Sequence, residues 1–422
     1  MRTSQPSAAE QPTRIPGVRA AGVVLFLSFM DVTTLVTIVS SHAAALGAGP
    51  IGIGLSVGAY SATNLPANVV GGILLDRVGR RRLTIIGFLV AAVAVLGYAL
   101  ASSVATFILI RALHGIAGGV LVTAVFAAAG DRTRAGRAGR SFGRFGAIIG
   151  SAWVVGPALA GVLTLRSGTG LAFQVVAVLL VIGAIVTAAA LPDVQVDPDD
   201  DPTAGVDAVD DAGDSRLDAM RALSRRPEVR RALLATAAWM AAVGTLAAFL
   251  RQAVIDVGAP ESAASGLFSI YALMAALLML SSLATRVDRT GADGMIGLGL
   301  TTIAFALLIM AGADRFAPEG TGLLVLFLAS AVFGTGYGIV FPAVTGAISL
   351  AATTRTRGRA FGLFNVAFSV GLAAGPPTVG ALVALSDRLL DVALDPFLPA
   401  AAICLIAALA IRSSSRRAAR TS

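Results

Sequence analysis

Apolar runs of about twenty residues alternate with short polar segments along the whole chain. Because an α-helix rises about 1.5 Å per residue, a run of ~20 apolar residues crosses the ~30 Å hydrocarbon core of a bilayer. The pattern therefore predicts an all-α membrane protein with twelve transmembrane helices. The predicted spans, numbered in chain order, are 20–46, 51–75, 83–102, 105–130, 143–165, 171–191, 232–255, 263–284, 294–313, 322–351, 361–386 and 392–411.

An internal repeat divides the chain into two halves. Eight of the 24 residues between positions 140 and 163 recur 219 positions later without a gap. The first copy holds Arg140, Gly156, Pro157 and Gly161, and the second holds Arg359, Gly375, Pro376 and Gly380. A period of half the chain is too long for a solenoid and indicates a duplicated bundle whose copies run in the same sense. We therefore expect two pseudo-symmetric bundles of six helices each.

Composition places the boundaries of the two bundles. Between spans 6 and 7, ten Asp with Pro and Gly are typical of a solvated linker. The predicted parts are a cytoplasmic tail (1–19), the first bundle (20–191), a cytoplasmic linker (192–231), the second bundle (232–411) and a second cytoplasmic tail (412–422). Late in the linker, an amphipathic helix on the membrane surface and a plain loop are equally good interpretations. The apolar face of that helix would hold Leu217, Met220 and Leu223, beside Arg221, Arg225 and Arg226.

The distribution of positive charge predicts the orientation in the membrane. All 32 basic residues are Arg, and 27 of them fall in the two tails and in the loops on the same side. Segments with such an excess stay in the cytoplasm, so both termini are expected there. A content of 56% hydrophobic and 13% charged residues fits a multi-pass protein of the plasma membrane. The pI of about 10.9 follows from this topology, and we expect no nucleic-acid partner.

Missing residue types argue against several functions. Without Lys, the chain has neither a P-loop lysine nor a lysine for a retinal Schiff base. Two His and one Cys do not supply a haem or structural metal set, so we expect no metal site and no cofactor. The polar residues within the spans do not assemble a nucleophile, a base and an orienting group, which argues against an enzyme.

A compact charged turn follows span 2. It reads Gly72-Ile73-Leu74-Leu75-Asp76-Arg77-Val78-Gly79-Arg80-Arg81. Gly72 permits close approach of another helix, Gly79 allows a sharp reversal, and Asp76 can face a positive helix N-terminus. A stop-transfer turn explains the Arg residues but not the spacing of Gly, Asp and Gly. The motif resembles the signature loop of the major facilitator superfamily, and the twelve spans, long central loop and duplicated halves fit that family as well.

The resemblance implies a conformational latch on the cytoplasmic side. In this family the loop acid is thought to engage the start of helix eleven, which Arg359 marks here. The symmetric acid engages the start of helix five, marked by Arg140. A degraded copy of the motif after span 8 supplies that second acid, and it holds Asp288, Arg289 and Gly291. We hypothesise that Asp76 with the Arg359 end, and Asp288 with the Arg140 end, close the cytoplasmic side in the outward-open state.

Charged groups also lie inside the predicted spans. Asp31 lies roughly 16 Å deep in span 1, near the middle of the bilayer. Arg111 and His114 lie in span 4, in a run that resembles a family motif with an intramembrane Arg. Because an unpaired charge there costs at least ~2.5 kcal/mol, Asp31 is expected to pair, line water or carry a proton. A fixed Asp31–Arg111 ion pair is one interpretation, and a proton site at Asp31 tuned by Arg111 and substrate is the other, with His114 as relay or packing residue.

The repeated Gly-Pro segment has two interpretations. The run from Gly156 through Pro157 to Gly161 in span 5 is similar to the antiporter motif of the family, although Ala160 replaces one of its paired glycines. Its second copy in span 11 makes symmetric packing and gating nearly as good an explanation.

Polar and aromatic residues within the spans are candidates for a substrate cavity, although Trp and Tyr also anchor helices at membrane interfaces. They are Asn64, Asn68, Trp153, Gln174, Trp239, Gln252, Tyr271, Tyr337 and Asn365. Such a cavity holds few fixed charges, which suits a hydrophobic or weakly cationic small molecule.

The sequence as a whole predicts a monomeric secondary transporter most like the drug/proton antiporter branch of the superfamily. It would export small organic compounds in exchange for protons by alternating access. A sugar, carboxylate or other metabolite permease is the alternative within this class. A non-transporting membrane sensor or scaffold is the alternative of another class.

Overall fold

Helices form all the regular structure in the part of the chain that the computed structural model describes, residues 18–130, 138–191, 220–281, 292–352 and 356–421. The first bundle holds α1 (Val18–Leu35), α2 (Val39–Ala45), α3 (Pro50–Val78), α4 (Arg80–Tyr98), α5 (Val104–Gly130) and α6 (Ala138–Ala190). The second holds α7 (Pro227–Asp256), α8 (Ala263–Leu280), α9 (Ala292–Ala311), α10 (Ala313–Phe316), α11 (Gly322–Ala351), α12 (Arg357–Leu390) and α13 (Phe397–Thr421).

Twelve helical stretches correspond to the twelve predicted spans. Eleven of those described are long and apolar enough to cross a membrane, with α1 and α2 forming one of them and α6 forming two. The twelfth is α3, a helix of 29 residues whose polar side chains lower its hydropathy. The predicted all-α membrane fold is therefore confirmed.

The helix ends differ from the predicted boundaries where local chemistry decides them. Span 1 is interrupted between Leu35 and Val39, and the two helices of spans 5 and 6, both within α6, follow each other without a loop. They are separated at Ser167 and Gly168, where the backbone leaves the helical conformation and Gly168 has φ of 68°. α7 begins at Pro227 instead of residue 232, because proline at the first helical position fixes a helical φ and needs no amide hydrogen bond. α13 continues to Thr421, through most of the segment predicted as a tail.

The segment before α7 is helical in its described part, from residue 220 to residue 225. Leu223 is buried there, and the Arg226 guanidinium donates to the carbonyl of Ala351 at the end of α11 over 2.7 Å. Leu217 lies outside the described residues.

Close helix packing in the first bundle rests on glycines of α5. A Cβ on Gly115 would meet the carbonyl of Tyr60 at 2.2 Å, and one on Gly119 would meet that of Asn64 at 2.5 Å. Small residues four apart let two helix backbones approach each other without a hydrophobic driving force, which lipid tails do not supply. Close approach through small residues therefore occurs between α3 and α5, in addition to the Gly-Pro segments. The predicted close approach at Gly72 is not seen among the described residues, because no atom lies within 4 Å of a Cβ added there.

Two sides of the molecule follow from the alternating helix directions. The side that holds the end of α3 and the starts of α4, α7 and α12 carries the Arg-rich segments and is called the arginine side. The other, called the far side, holds the turns at Gly47, Gly258 and Gly320.

Gly119→Ala should lower the thermal unfolding midpoint of the purified protein by a few degrees. The added methyl group collides with the backbone of α3, and such overpacking costs about 1–3 kcal/mol. Gly146→Ala is the matched control, because no atom lies within 4 Å of its added Cβ. Equal midpoints for both variants, measured in detergent solution, would contradict a packing role for Gly119.

Candidate functional site

A chain of polar side chains lies in the interior of the first bundle. Asp31 of α1 is 2% exposed, and its Oδ2 lies 2.9 Å from Nε2 of His114 on α5. Nδ1 of His114 lies 2.6 Å from the hydroxyl of Tyr98, the last residue of α4. Arg111, one turn before His114 on α5, donates from Nη1 to that same hydroxyl over 3.2 Å. We call Asp31, His114, Tyr98 and Arg111 the buried polar chain.

The contacts of Arg111 differ from a direct ion pair with Asp31. Its Nε donates to the carbonyl of Ser56 on α3 over 3.0 Å, and its guanidinium lies 5.0 Å from the ring centre of Tyr60. Asp31 is instead hydrogen-bonded to His114. His114 and Tyr98 therefore link Asp31 to Arg111, the two charged residues that the sequence analysis considered as an ion pair.

The second carboxylate oxygen of Asp31 is the unusual atom of this site. Oδ1 is buried and has no hydrogen-bond partner. An unsatisfied acceptor on a buried charged group costs more than the roughly 1–3 kcal/mol of a neutral one. Sequence reasoning found Asp31, His114 and Arg111 but missed Tyr98, whose only sequence signal is a tyrosine at the end of an otherwise apolar span.

Two of the predicted cavity residues take part in helix pairing. Asn64 donates to the carbonyl of Gly115 over 3.3 Å, and Asn68 donates to the side chain of Asn64 over 2.9 Å. Thr123 of α5 then donates to Asn68 over 3.1 Å. This ladder joins α3 to α5, so the two amides have partners inside the bundle.

An aromatic cluster in the second bundle brings together three other predicted cavity residues. Trp239 of α7 lies 5.7 Å from Tyr337 of α11, and Tyr337 lies 5.5 Å from Tyr271 of α8, measured between ring centres. Phe341 and Phe364 extend the cluster on α11 and α12. Trp239 is fully buried, and its indole N–H has no hydrogen-bond partner.

The remaining cavity candidates lie elsewhere. Trp153 is partly buried, while Gln174 and Asn365 are exposed. Gln252 donates to Asp256 at the far end of α7 over 2.8 Å. Among the described residues, no group of three or more His, Cys, Asp or Glu is placed to hold a metal ion.

Glycines close the far side between the two bundles. A Cβ on Gly54 of α3 would meet the carbonyl of Pro376 on α12 at 2.4 Å, and one on Gly380 would meet the carbonyl of Pro50 at 2.3 Å. On the other edge, a Cβ on Gly161 of α6 would meet Ser265 of α8 at 2.9 Å. Gly161 and Gly380 are equivalent residues of the internal repeat, so both copies place this glycine between the bundles.

The other repeated glycine serves packing inside each bundle. A Cβ on Gly156 would meet Thr33 of α1 at 2.3 Å, and one on Gly375 would meet Ala241 of α7 at 2.5 Å. Pro157 and Pro376 follow these glycines, and both prolines are buried. Each Gly-Pro segment thus supplies one contact within its own bundle and one contact between bundles.

The arginine side is open at the corresponding positions. Among the described residues, no atom lies within 4 Å of a Cβ added to Gly72 of α3, to Gly146 or Gly150 of α6, or to Gly362 of α12. The close glycine contacts between the bundles therefore lie on the far side, and these four glycines of the arginine side have free space beside them.

The residues of the predicted latch that the structure describes lie on the arginine side. Gly79 forms the sharp turn with φ of 84°, Arg77 is exposed, and Arg81 donates to the carbonyl of Ala188 at the end of α6. Arg80 and Arg359 are partly buried near the starts of α4 and α12. The side chains of Asp76 and Arg140, and Asp288, Arg289 and Gly291 entirely, lie outside the described residues.

The described helices thus form two bundles that contact each other through glycines on the far side. A sequence model of the Major Facilitator Superfamily matches residues 21–376 and 252–421. The chain belongs to the major facilitator superfamily, and it is a multi-pass plasma-membrane protein that carries small molecules.

Similar proteins are transporters as well. An uncharacterised MFS-type transporter of Methanocaldococcus jannaschii is 24% identical over 364 residues, which cover 85% of this chain and 89% of that protein. The quinolone resistance protein NorA of Staphylococcus aureus is 24% identical over 137 residues, 32% of this chain and 35% of NorA. The crystal structure of the nucleoside transporter NupG shares the fold, with a TM-score of 0.77, 15% identity, and coverage of 94% of this chain and 98% of that one.

Gly380→Val should shift the protein toward a conformation that is open on the far side. The larger side chain collides with Pro50 only while the far side is closed. A cost of about 1–3 kcal/mol shifts a two-state balance by a factor between about 5 and about 160. The measurement is labelling of Ser265→Cys by a membrane-impermeant thiol reagent, in a background with Cys404→Ala. Gly362→Val is the matched control and should leave the labelling rate unchanged. A rate equal in both variants would contradict a gating role for Gly380.

Proposed function

We propose that this transporter exports small organic compounds in exchange for protons by alternating access. The observation that carries the proposal is the carboxylate of Asp31, which is buried at mid-membrane depth with Oδ1 unpartnered. Uptake of one proton there changes the net charge of the buried polar chain, which the surrounding apolar interior makes energetically significant. The partial similarity to NorA supports efflux.

The predicted orientation in the membrane indicates which state of the transport cycle this conformation represents. With the arginine side in the cytoplasm, the conformation is inward-open, and substrate enters from the cytoplasm. Rocking of the bundles then separates Gly161 from Ser265 and Gly380 from Pro50, while the latch of Asp76 with the Arg359 end forms on the cytoplasmic side. Asp31 takes up a proton from outside and releases it inside after the return. The space lies between the two bundles of one chain, so we propose that the monomer is the transporting unit.

The aromatic cluster of the second bundle supports the class of substrate. Tyr337 is the partly exposed ring of the three, and it packs against the buried rings of Trp239 and Tyr271. Aromatic side chains bind planar apolar compounds and weakly cationic ones by stacking and cation–π attraction. Arg111, by contrast, already contacts Ser56, Tyr98 and Tyr60, so the cavity is poorly suited to phosphorylated compounds.

Asp31→Asn should abolish proton coupling and retain exchange of substrate across the membrane. The amide cannot take up a proton but fits the same space. In proteoliposomes, a proton gradient directed out of the vesicle should drive substrate accumulation by the unmodified protein and not by the variant. Accumulation under a gradient directed into the vesicle would instead identify a symporter, and undiminished coupling in Asp31→Asn would exclude Asp31 as the proton site.

Asp76→Asn should move the balance of accessibility toward the inward-open state, because the variant loses a charge that favours the positive N-terminus of α12. Such a contact is worth about 0.3–1 kcal/mol when exposed, so the shift should be severalfold at most. The measurement is cysteine labelling from either side, with Asp391→Asn, at the far end of α12, as the control. An unchanged ratio of labelling would refute the latch.

A further inference from the structure

Arg111 determines which atom donates and which atom accepts in each hydrogen bond of the buried polar chain. Arg111 carries five N–H donors and no acceptor, so its bond to Tyr98 makes the Tyr98 oxygen an acceptor. The Tyr98 hydroxyl then has one hydrogen left to donate. Its partner at 2.6 Å is Nδ1 of His114. Nδ1 of His114 is therefore an acceptor and carries no proton.

The same reasoning continues to Asp31. A neutral imidazole with an unprotonated Nδ1 carries its proton on Nε2. Nε2 lies 2.9 Å from Oδ2 of Asp31 and donates to it. Oδ2 is thereby occupied as an acceptor, and Oδ1 remains the one oxygen of this carboxylate without a partner.

The two other protonation patterns leave a buried hydrogen without an acceptor. If Nδ1 of His114 carried a proton, in the neutral tautomer or in the imidazolium, it would donate to the Tyr98 oxygen. The Tyr98 hydrogen would then have to turn away from His114, and Tyr98 is fully buried beside Phe107 and Phe173. An orphaned buried donor costs about 1–3 kcal/mol.

Charge balance gives the same answer for this conformation. The titratable and charged groups around the Asp31–His114 contact come from two further helices and α5: Arg111 from α5, Tyr60 from α3 and Tyr98 from α4. α6, on the other side of α1, brings Gly156 against Thr33. With His114 neutral, the guanidinium of Arg111 and an ionised Asp31 sum to zero, whereas an imidazolium would add an uncompensated buried charge.

We propose that Tyr98 is a positioning residue that keeps His114 neutral with its proton on Nε2, so that the transported proton is held on Oδ1 of Asp31. This assignment rests on the proposed proton-coupled function. A hydronium ion from outside transfers its proton to Oδ1, which gives the carboxylic acid and leaves water. The same oxygen later releases the proton to water on the cytoplasmic side. Arg111 contributes by donating a hydrogen bond to the Tyr98 oxygen, and His114 contributes as a hydrogen-bond donor to Asp31.

The first test replaces His114 by a side chain that donates but does not titrate. His114→Gln keeps an N–H near the position of Nε2, so proton coupling in proteoliposomes should be retained, with a midpoint pH within about 0.5 unit of the unmodified protein. His42→Gln is the matched control: His42 lies in the middle of α2 and contacts Thr169 and the backbone carbonyl of Tyr98, not its hydroxyl, so the midpoint should stay unchanged. Loss of coupling in His114→Gln, as in Asp31→Asn, would show that His114 carries the proton and would overturn the proposal.

The second test removes the hydroxyl that sets the direction. In Tyr98→Phe, Nδ1 of His114 loses its donor and becomes free to bind a proton, so the pH profile of transport should gain a second titration. The double variant Tyr98→Phe with His114→Gln should lose that second titration again, which a purely structural defect would not do. An unchanged pH profile in a correctly folded Tyr98→Phe would also overturn the proposal.

A spectroscopic measurement on the unmodified protein does not depend on the folding of a variant. Infrared difference spectra between high and low pH should contain the C=O band of a protonated carboxylic acid, and Asp31→Asn should lack it. Imidazolium bands in place of that carboxylic acid band would contradict the assignment. Full proton coupling in Asp31→Asn would exclude Asp31 as the proton site of the proposed function. If Asp31→Asn is uncoupled but the Tyr98 and His114 variants do not give the expected pH profiles, only the roles assigned to Tyr98 and His114 are excluded.

Discussion

Burial of a charge at the middle of a bilayer is the constraint on which the rest of the first bundle depends. Hydrocarbon supplies no hydrogen bonds, so Asp31 and Arg111 must find partners within the protein. They find them through His114 and Tyr98, and this requires α1, α4 and α5 to meet at one depth. The glycines of α5 provide the close approach of α3 that brings Ser56 within reach of Arg111. Packing and electrostatics are thus parts of one arrangement.

The two bundles share a backbone plan and differ in interior chemistry. Equivalent glycines of the internal repeat make equivalent contacts, within the bundle at Gly156 and Gly375 and between bundles at Gly161 and Gly380. The interiors diverge: the first bundle holds a charged, hydrogen-bonded chain, and the second holds a cluster of aromatic rings around Trp239. Symmetric contacts are compatible with rocking of the bundles about one axis, and the unlike interiors fit the proposal that the first bundle takes up protons while the second contacts substrate.

Particular residues show how far the sequence predicted the site. Asp31, Arg111 and His114 were found because charged and imidazole groups are rare in apolar spans, so each one stands out. Tyr98 did not stand out, since a tyrosine near the end of a span is usual at a membrane interface. Asn64 and Asn68 have the composition of cavity residues, yet they bond along α3 and to α5, because side-chain amides satisfy each other wherever two helices come close. Spacing along one helix does not reveal which neighbour a polar group faces.

Hydropathy, the period of 219 residues and the Arg distribution by themselves determined the helical membrane fold, the twelve spans and the duplication, because each is a property of residues close in the chain or of the whole chain. Only the tertiary structure decided which residue is the partner of Asp31, which of the repeated glycines packs within a bundle and which between bundles, and which residues meet on the far side. The physical reason is that these depend on which side chains from distant helices meet at one depth, with atoms such as Asp31 Oδ2 and His114 Nε2 brought to 2.9 Å across 83 residues.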